Sequence, residues 1–147
     1  MRVIFSNYKS LSKDNVESVP FKVLLARSDI VSLHCPMTPD TRDMIGINEL
    51  RIMKCNALLI NAARGGLVNE KALLQALDEG LIAGAGFDVL TTEPPENSHP
   101  LLNINRPNFI LTPHVAWTSD GAMQLLAEQL ISNIEEWVAG NPQNLVT

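Results

Sequence analysis

The fold is decided by residues 57–89, which read ALLINAARGGLVNEKALLQALDEGLIAGAGFDV. This stretch opens with a short apolar run at 57–60, which predicts a buried strand. Asn69 then stands where a helix N-cap is expected, and the helical pattern EKALLQALDE after it ends at Gly80. Residues 83–89 form a second strand-like run, with glycines where another segment must approach closely. A strand, a helix and a strand in this order predict a βαβ unit with parallel strands.

The same alternation of apolar runs and amphipathic stretches continues on both sides of residues 57–89. Further strands are predicted at 3–5, 30–33 and 109–112, and further helices at 18–27, 47–53 and 119–139. Ser18 is the expected cap of the first of these helices, and Pro20 lies near its first turn, where a missing N–H costs little. Residues 91–107 are rich in Pro and Asn and are predicted to be a loop. The pattern therefore predicts an α/β fold with a parallel sheet and flanking helices.

The last predicted helix carries an apolar stripe at helical spacing. Its members are Met123, Leu126, Ala127, Leu130, Ile134, Trp137 and Val138. We interpret this stripe as a core-facing surface rather than as part of a ligand site, because amphipathic helices of globular proteins usually bury such a face.

Composition and charge argue against several classes of function. The net charge is −5 and no basic stripe is visible, so nucleic-acid binding is not expected. No run of about 18 apolar residues is present and the first ten residues do not resemble a signal peptide, so we expect neither a membrane span nor secretion. Cys35 and Cys55 are then expected to be reduced thiols of a cytoplasmic protein. The Cys and His residues lack the spacing of metal ligands, so no metal site is predicted.

One glycine pattern invites a wrong interpretation. Gly84-Ala85-Gly86 begins like a dinucleotide-binding G-x-G-x-x-G loop, but its third glycine position is Val89. The segment also lies inside a predicted strand instead of opening a helix. We therefore do not assign a phosphate-binding loop to it.

Ligands of parallel α/β sheets bind at the carboxyl ends of the strands. The residues just after the predicted strands, or closing them, are Asn7, His34, Cys35, Pro36, Asn61, Ala62, Ala63, Arg64, Asp88, Pro113 and His114. These positions are the candidate ligand-binding residues of the chain.

Three side chains near the strand ends could carry chemistry, and each also has a simpler explanation. Arg64 offers a planar fork that pairs with a carboxylate through two hydrogen bonds, or it is a surface arginine at a strand end. Glu93, which precedes the stiff pair Pro94-Pro95, is a functional carboxylate or a solvated loop residue. His114 could give or take a proton near neutral pH, or it is a core histidine satisfied by hydrogen bonds.

Together the three side chains suit proton transfer at a carbon that also exchanges hydride. A carboxylate beside an imidazole fixes its tautomer and favours its charged form. An arginine nearby can hold an anionic substrate and polarise its carbonyl. The other two histidines have no comparable setting, and we expect His34 to hold a loop and His99 to lie at a loop edge.

Four segments form a recognisable series: SLHCPMTPDTRDMIG at 32–46, LLINAARGGLVNEKALLQAL at 58–77, AGAGFDVLTTEPP at 83–95 and LTPHVAW at 111–117. In this order they resemble the D-isomer-specific 2-hydroxyacid dehydrogenase family, over nearly the whole chain. The HVAW ending and the segment ENSHPLL are most similar to the glycerate dehydrogenase (hydroxypyruvate reductase) branch of that family.

The resemblance implies a Rossmann-like nucleotide-binding fold and hydride transfer between C2 of a small 2-hydroxy or 2-oxo acid and C4 of a nicotinamide. It implies that Arg64 binds the substrate carboxylate and carbonyl, that Glu93 hydrogen-bonds His114 and keeps it basic, and that His114 moves the proton to or from the substrate oxygen. Cofactor contacts are implied at Asn7, Cys35, Pro36, Ala62, Ala63, Arg64, Asp88 and His114.

The resemblance also shows where this sequence departs from the family. In the family a strand and a G-x-G-x-x-G loop come just before the strand at 3–5, and a substrate domain precedes them; this sequence begins after both. We therefore expect residues 1–117 to be a partial dinucleotide-binding domain, truncated at its N-terminus. Residues 118–147 are expected to be a C-terminal helix and a tail that in the family returns toward the substrate domain. The isolated chain is then expected to be inactive, to associate as a homodimer, and to leave PQNLVT at 142–147 unattached.

NAD is the cofactor that the resemblance implies, with NADP also accepted. Asn7 stands where NAD-preferring members carry an acidic residue for the ribose hydroxyls. Asn does not repel a 2′-phosphate and Lys9 is close by, yet no Arg occupies the adjacent positions.

The alternative to an enzyme is a non-catalytic module that senses NAD(H) or dimerises. The presence of Arg64, Glu93 and His114 together argues for catalysis.

Overall fold

The computed structural model of the chain describes residues 1–6 and 17–146. The chain divides into two compact units, Met1–Pro113 and His114–Thr147. The sequence predicts a boundary between 117 and 118, a few residues later. The first unit contains all the strands and the first three helices of the described residues.

The strands of the first unit form two parallel sheets. They are β1 (Ile4–Phe5), β2 (Glu17–Ser18), β3 (Ile30–Leu33), β4 (Leu58–Asn61), β5 (Gly84–Phe87) and β6 (Phe109–Leu111). β1 pairs with β2, and the other four form one sheet in the order β3-β4-β5-β6. In the register of this sheet Ile30 lies opposite Leu58, Leu58 opposite Gly84, and Ala85 opposite Phe109. Because all four strands are parallel, their carboxyl ends share one edge of the sheet.

The helices begin and end near the residues that the sequence predicts. They are α1 (Phe21–Arg27), α2 (Ile47–Ile52), α3 (Glu70–Asp78) and α4 (Asp120–Val138), with a short 3₁₀ helix at Pro100–Asn103 inside the predicted loop. Asn69 caps α3 as predicted, because its side chain accepts a hydrogen bond from the Ala72 N–H at 3.0 Å. A cap of this kind stabilises a helix by about 1 kcal/mol.

The hydrophobic core lies between one face of the four-stranded sheet and helices α1 to α3. Alternate strand residues and one face of each helix contribute to it, among them Val31, Leu33, Leu59, Phe87, Leu25, Leu50, Leu73 and Leu77. The opposite sheet face is also apolar but open to solvent, where Ile30 is 56% exposed and Ile110 is 65% exposed. The predicted α/β fold with a parallel sheet and flanking helices is confirmed, with one sheet face uncovered in the described residues.

The start of the first unit differs from the prediction. Helix α1 begins at Phe21, and Pro20 occupies its N-cap position without a side-chain hydrogen bond. Ser18, the predicted cap, belongs instead to β2, and the Val19 N–H donates to the Phe5 carbonyl at 2.9 Å. Ser18 lies two residues before the N-cap position of α1, too early in the chain to cap its first turn, and its backbone pairs with β1 instead.

Close approach at the glycines of β5 is confirmed. A Cβ atom on Gly84 would lie 2.7 Å from the Asn108 carbonyl oxygen, which accepts a hydrogen bond from the Ala85 N–H. Only a residue without a side chain lets the segment before β6 approach β5 so closely.

The second unit consists mainly of α4 and the tail after it. Ser119 caps α4, since its hydroxyl accepts a hydrogen bond from the Ala122 N–H at 3.3 Å. None of the side chains of α4 is buried, and Trp137 is 67% exposed. The prediction that its apolar stripe packs into a core is therefore wrong for this chain: helical spacing identifies a face suited to burial but does not supply the surface that covers it.

The tail also differs from the prediction that it hangs unattached. The Gln143 side chain donates to the Ser132 hydroxyl at 2.8 Å, and the Asn144 side chain donates to the Asn133 side-chain oxygen at 2.9 Å. These bonds tie the start of the tail back to α4. In the parts of the chain that the structure describes, no helix is both long enough and apolar enough to cross a membrane.

Candidate active site

The loop after β4 carries Arg64 and is held by Asn61. Asn61 is buried, and its side-chain amide donates to the Arg64 carbonyl at 3.0 Å while its side-chain oxygen accepts from the Ala63 N–H at 3.2 Å. Its backbone carbonyl accepts from the Asp88 N–H at 3.0 Å, which continues the β4–β5 ladder past the last strand residue. One buried side chain therefore fixes the path of the Arg64 loop, as expected of a polar group that must be satisfied away from water.

The Arg64 side chain is exposed at the carboxyl end of β4. One of its guanidinium nitrogens donates to the Ala63 carbonyl at 2.7 Å. A guanidinium has five N–H donors in a fixed fork, so this contact uses only part of its capacity. This placement agrees with both alternatives that the sequence leaves open, an anchor for an anionic ligand and a surface arginine at a strand end.

Gly65 brings the Arg64 loop against the segment that follows β5. A Cβ atom at residue 65 would lie 1.8 Å from the Leu90 carbonyl oxygen and 2.7 Å from the Thr91 nitrogen. The neighbour at Gly65 is the backbone at Leu90, so this glycine joins the two loops that carry Arg64 and Glu93.

Glu93 is exposed on the loop after β5. Its carboxylate accepts a hydrogen bond from the Leu90 N–H at 2.8 Å, which folds the side chain back over its own loop. The Thr91 N–H donates to the Glu70 carboxylate at 2.7 Å. The Glu93–Pro94 peptide bond is cis.

Asp88 closes β5 at the same sheet edge and is buried. Its carboxylate accepts a hydrogen bond from the Thr112 hydroxyl at 2.5 Å, and the Thr112 N–H donates to the Phe87 carbonyl at 2.9 Å. Thr112 was not among the predicted site residues. The sequence alone does not indicate this contact, because it depends on the register of β5 and β6, which places Thr112 beside the buried Asp88.

The loop after β3 contains Cys35 and Pro36. The Cys35 thiol lies 3.6 Å from the Met44 sulfur, and burial raises the pKa of this thiol. The Pro36 carbonyl accepts from the hydroxyl of the buried Thr41 at 2.8 Å, which closes the turn after the strand. Neither cysteine forms a disulfide.

The other predicted positions of the first unit have simpler surroundings. Ala62 is exposed and Ala63 is half-buried. His34 is exposed, and its ring nitrogen lies 2.8 Å from the Ser32 hydroxyl. Asn7 lies outside the described residues.

His114 is the first residue of the second unit. It has a φ angle of 58°, and its carbonyl accepts a hydrogen bond from the Trp117 indole at 3.1 Å. A left-handed backbone conformation at a residue other than glycine costs about 1–3 kcal/mol and is found preferentially at functional sites. Asp43 and Asn144 share this conformation, so at His114 it agrees with a functional role but does not single the residue out.

The structure therefore brings the Arg64 loop, Asp88 and the Glu93 loop together at the carboxyl edge of β4 and β5. The pairing of Glu93 with His114 stays a prediction. Over residues 1–6 and 17–146, no three His, Cys, Asp or Glu side chains cluster as ligands of a metal ion would.

The sequence of this chain matches the model of a known protein family. The model of the "D-isomer specific 2-hydroxyacid dehydrogenase, NAD binding domain" family matches residues 1–116. The chain belongs to this family. The matched dehydrogenase domain includes the loops of Arg64 and Glu93 as well as His114.

Named relatives in the dehydrogenase family share a large part of the chain. The glycerate dehydrogenase of Methylorubrum extorquens is 56% identical over 128 residues, which are 87% of this chain and 41% of that protein. The hydroxypyruvate reductase of Blautia hydrogenotrophica is 36% identical over 149 residues, which are 99% of this chain and 46% of that protein. The chain thus spans less than half the length of these two relatives.

Solved structures of related enzymes have the same fold as this chain. An acyclic imino acid reductase in complex with NADPH and D-Arg matches with a TM-score of 0.87 and 37% identity, over 100% of this chain and 46% of that one. The NAD complexed form of a D-isomer specific 2-hydroxyacid dehydrogenase from Lactobacillus delbrueckii ssp. bulgaricus matches with a TM-score of 0.83 and 31% identity, over 99% of this chain and 49% of that one. The parallel sheet with flanking helices is therefore the nucleotide-binding fold of this dehydrogenase family.

Proposed function

We propose that the chain is the nucleotide-binding part of an NAD(P)-dependent enzyme that interconverts a D-2-hydroxy acid and a 2-oxo acid. The observation that carries this proposal is the contact of the Arg64 loop with the Glu93 loop at Gly65 and Leu90. It holds a cationic anchor and a carboxylate at one sheet edge, where α/β proteins bind their ligands.

Arg64 binds the carboxylate of the substrate and polarises its carbonyl. A planar guanidinium pairs with a carboxylate through two parallel hydrogen bonds, which fixes the orientation of a small acid as well as binding it. The exposed side chain and the braced backbone of Arg64 support this role, since a rigid loop positions the fork before the substrate arrives.

His114 gives a proton to the substrate oxygen during reduction and takes it back during oxidation, and Glu93 orients the imidazole. In reduction the carbonyl carbon gains a hydride, the electron pair of the C=O bond moves to oxygen, and the His114 proton completes the hydroxyl. A carboxylate beside the ring favours the imidazolium form that donates this proton. What supports the pairing is connectivity: Glu93 follows β5, His114 follows β6, and the two strands are parallel neighbours.

The residues at the strand ends fit a nicotinamide. Cys35 and Ala62 offer small or apolar surfaces to a flat ring, and the Asp88 carboxylate is an acceptor suited to a carboxamide N–H. Pro36, Ala63, Arg64 and His114 are the further predicted contacts, and Asn7 the predicted contact to the ribose. When bound, the cofactor supplies or accepts the hydride. We propose NAD as the preferred form, with NADP accepted.

Among the substrates open to such a site we favour hydroxypyruvate and D-glycerate. The support is the identity with glycerate dehydrogenase and with hydroxypyruvate reductase over most of this chain.

A homodimer is the proposed assembly. The 147 residues alone are proposed to be inactive, because they span less than half of each relative.

A kinetic comparison of two arginine variants tests the function. In the full-length protein that carries this chain, NADH oxidation is followed with hydroxypyruvate as substrate. Arg64→Lys keeps the charge but loses the fork, so kcat/KM should fall about 10- to 100-fold. Arg51→Lys, an exposed arginine of α2, is the matched control and should leave kcat/KM unchanged.

Three outcomes separate the alternatives. Turnover that depends on Arg64 supports the dehydrogenase. Cofactor binding without turnover of any 2-oxo acid points to the non-catalytic NAD(H)-sensing module. If Arg64→Lys and Arg51→Lys have the same kcat/KM, Arg64 is not part of the substrate-binding site.

A further inference from the structure

A second carboxylate, Glu70, lies behind the loop that carries Glu93. Glu70 is the first residue of α3, and its side chain is 19% exposed. One carboxylate oxygen accepts the Thr91 N–H at 2.7 Å, and the other lies 3.1 Å from the Nε2 atom of His99. A partly buried carboxylate is thus shared between a backbone amide and an imidazole.

The ring of His99 is held in one tautomer. Its Nδ1 accepts a hydrogen bond from the Leu101 N–H at 3.3 Å, so the proton of the neutral ring is on Nε2 and points to Glu70. The His99 side chain is 16% exposed. It therefore does more than lie at a loop edge, because it links the 3₁₀ helix to α3.

The Thr91 N–H is held by its hydrogen bond to Glu70 within the segment that leads to Glu93. The preceding residue, Leu90, places its carbonyl against Gly65 and donates its N–H to the Glu93 carboxylate at 2.8 Å. The Thr91–Glu70 bond therefore anchors the chain directly between this contact and Glu93.

We propose that Glu70 is a positioning residue for Glu93, acting through the Thr91 N–H, and that His99 holds Glu70 in place. The inference rests on the proposed function and deepens it. Without Glu70 the Thr91 amide loses its acceptor, and the short segment between Leu90 and Glu93 is free to take other paths. A carboxylate displaced by about 1 Å orients its partner poorly, which can cost on the order of 100-fold in rate.

A double-mutant cycle in the full-length protein tests the coupling. The variants are Glu70→Ala, Glu93→Gln and the double variant, with kcat/KM for hydroxypyruvate as the readout. We expect Glu93→Gln to lower kcat/KM about 100-fold or more, and Glu70→Ala to lower it about 10- to 100-fold. In the Glu93→Gln background, Glu70→Ala should have almost no further effect. Glu79→Ala, at the other end of α3, is the control and should be neutral.

A conservative variant and a structural readout keep the test decisive if Glu70→Ala folds poorly. Glu70→Gln retains one oxygen that can accept from the Thr91 N–H but turns its amide NH2 toward the Nε2 proton of His99, so it should recover only part of the lost kcat/KM. Hydrogen exchange at the Thr91 amide should be slow in the wild type and in Glu70→Gln and at least about tenfold faster in Glu70→Ala, as expected when an amide loses its acceptor.

The outcomes separate this inference from the proposed function. An equal loss from Glu70→Ala in both backgrounds means that Glu70 acts on stability alone, and overturns the inference while the dehydrogenase function stands. Unchanged exchange at Thr91 overturns it as well. A wild-type protein that turns over no 2-oxo acid overturns the proposed function and the inference together.

Discussion

Cys35 illustrates how the surroundings of one side chain set its chemistry. Burial raises the pKa of its thiol, because a low-dielectric environment disfavours the thiolate. The thiolate is the nucleophile, so at any given pH Cys35 holds less of the reactive form than an ordinary thiol with a pKa near 8.5.

The expected result is slow alkylation of Cys35. With iodoacetamide near pH 7.5, the exposed Cys55 should be modified well before Cys35, and the rate at Cys35 should level off at a higher pH than that of an ordinary thiol. Peptide mass spectrometry over time measures both rates, and Cys55→Ser isolates the reaction of Cys35. Modification of Cys35 ahead of Cys55 near neutral pH would contradict the role given to burial.

The residues of the site were only partly predictable. Arg64 and Asp88 follow apolar runs, so their placement at the sheet edge follows from the rule for parallel strands. The bracing role of Asn61 and the pairing of Asp88 with Thr112 did not follow, because they depend on how a loop turns and on the strand register. The contacts of Glu70 were not predictable either, because its partners Thr91 and His99 are 21 and 29 residues away in the chain.

At the scale of the element, the two loops that meet at Gly65 behave as one structural unit. A Cβ atom here would overlap backbone atoms of Leu90, which cannot rotate away as a flexible side chain can. Gly65→Ala should therefore push the Arg64 loop off the Glu93 loop and destabilise the chain by on the order of 1–3 kcal/mol. If the proposed function holds, the same variant of the full-length protein that carries this chain should also have a lower kcat/KM for hydroxypyruvate.

A second glycine offers the matched control for this prediction. Gly121 lies in the first turn of α4, and a Cβ atom there would meet nothing within 4 Å. Gly121→Ala should be neutral or stabilising by up to about 1 kcal/mol, because alanine favours the helix. Urea denaturation of both variants measures the difference, and equal midpoints for the two would argue against the tight contact at Gly65.

Elements with a strong local pattern were predicted to within about two residues, among them α3 with its Asn69 cap and strands β3 to β6. Strand β2 was missed, because Glu17 and Ser18 are polar and exposed and become a strand only by pairing with β1. Helix α4 was predicted, but not its exposure, since periodicity within a helix carries no information about its neighbours.

At the scale of the whole molecule, each unit presents apolar surface to solvent. Ile30, Leu58 and Ile110 are exposed on the open face of the four-stranded sheet, and Leu126, Leu130, Ile134 and Trp137 are exposed on α4. Contiguous apolar surface of this kind usually marks a place where another protein surface packs.

The 147-residue chain is therefore expected to self-associate. Light scattering should give a mass of at least a dimer, and a charge introduced by Ile110→Lys or Leu130→Lys should reduce association if the substituted face is the one that packs. Gln129→Lys adds the same charge at an exposed polar position of α4 and should change nothing. A stable, monodisperse monomer would contradict the expectation.

The strand order of the main sheet also bears on how the chain acquires its shape during synthesis. Each strand pairs with the one made just before it, and the paired positions Ile30–Leu58, Leu58–Gly84 and Ala85–Phe109 are separated by similar lengths of chain. A polypeptide leaving the ribosome would thus find, for every new strand after β3, a partner that has already emerged. The sheet can grow one strand at a time in the direction of translation, and its carboxyl edge, with Arg64, Asp88 and Glu93, is assembled in the order in which those residues are made.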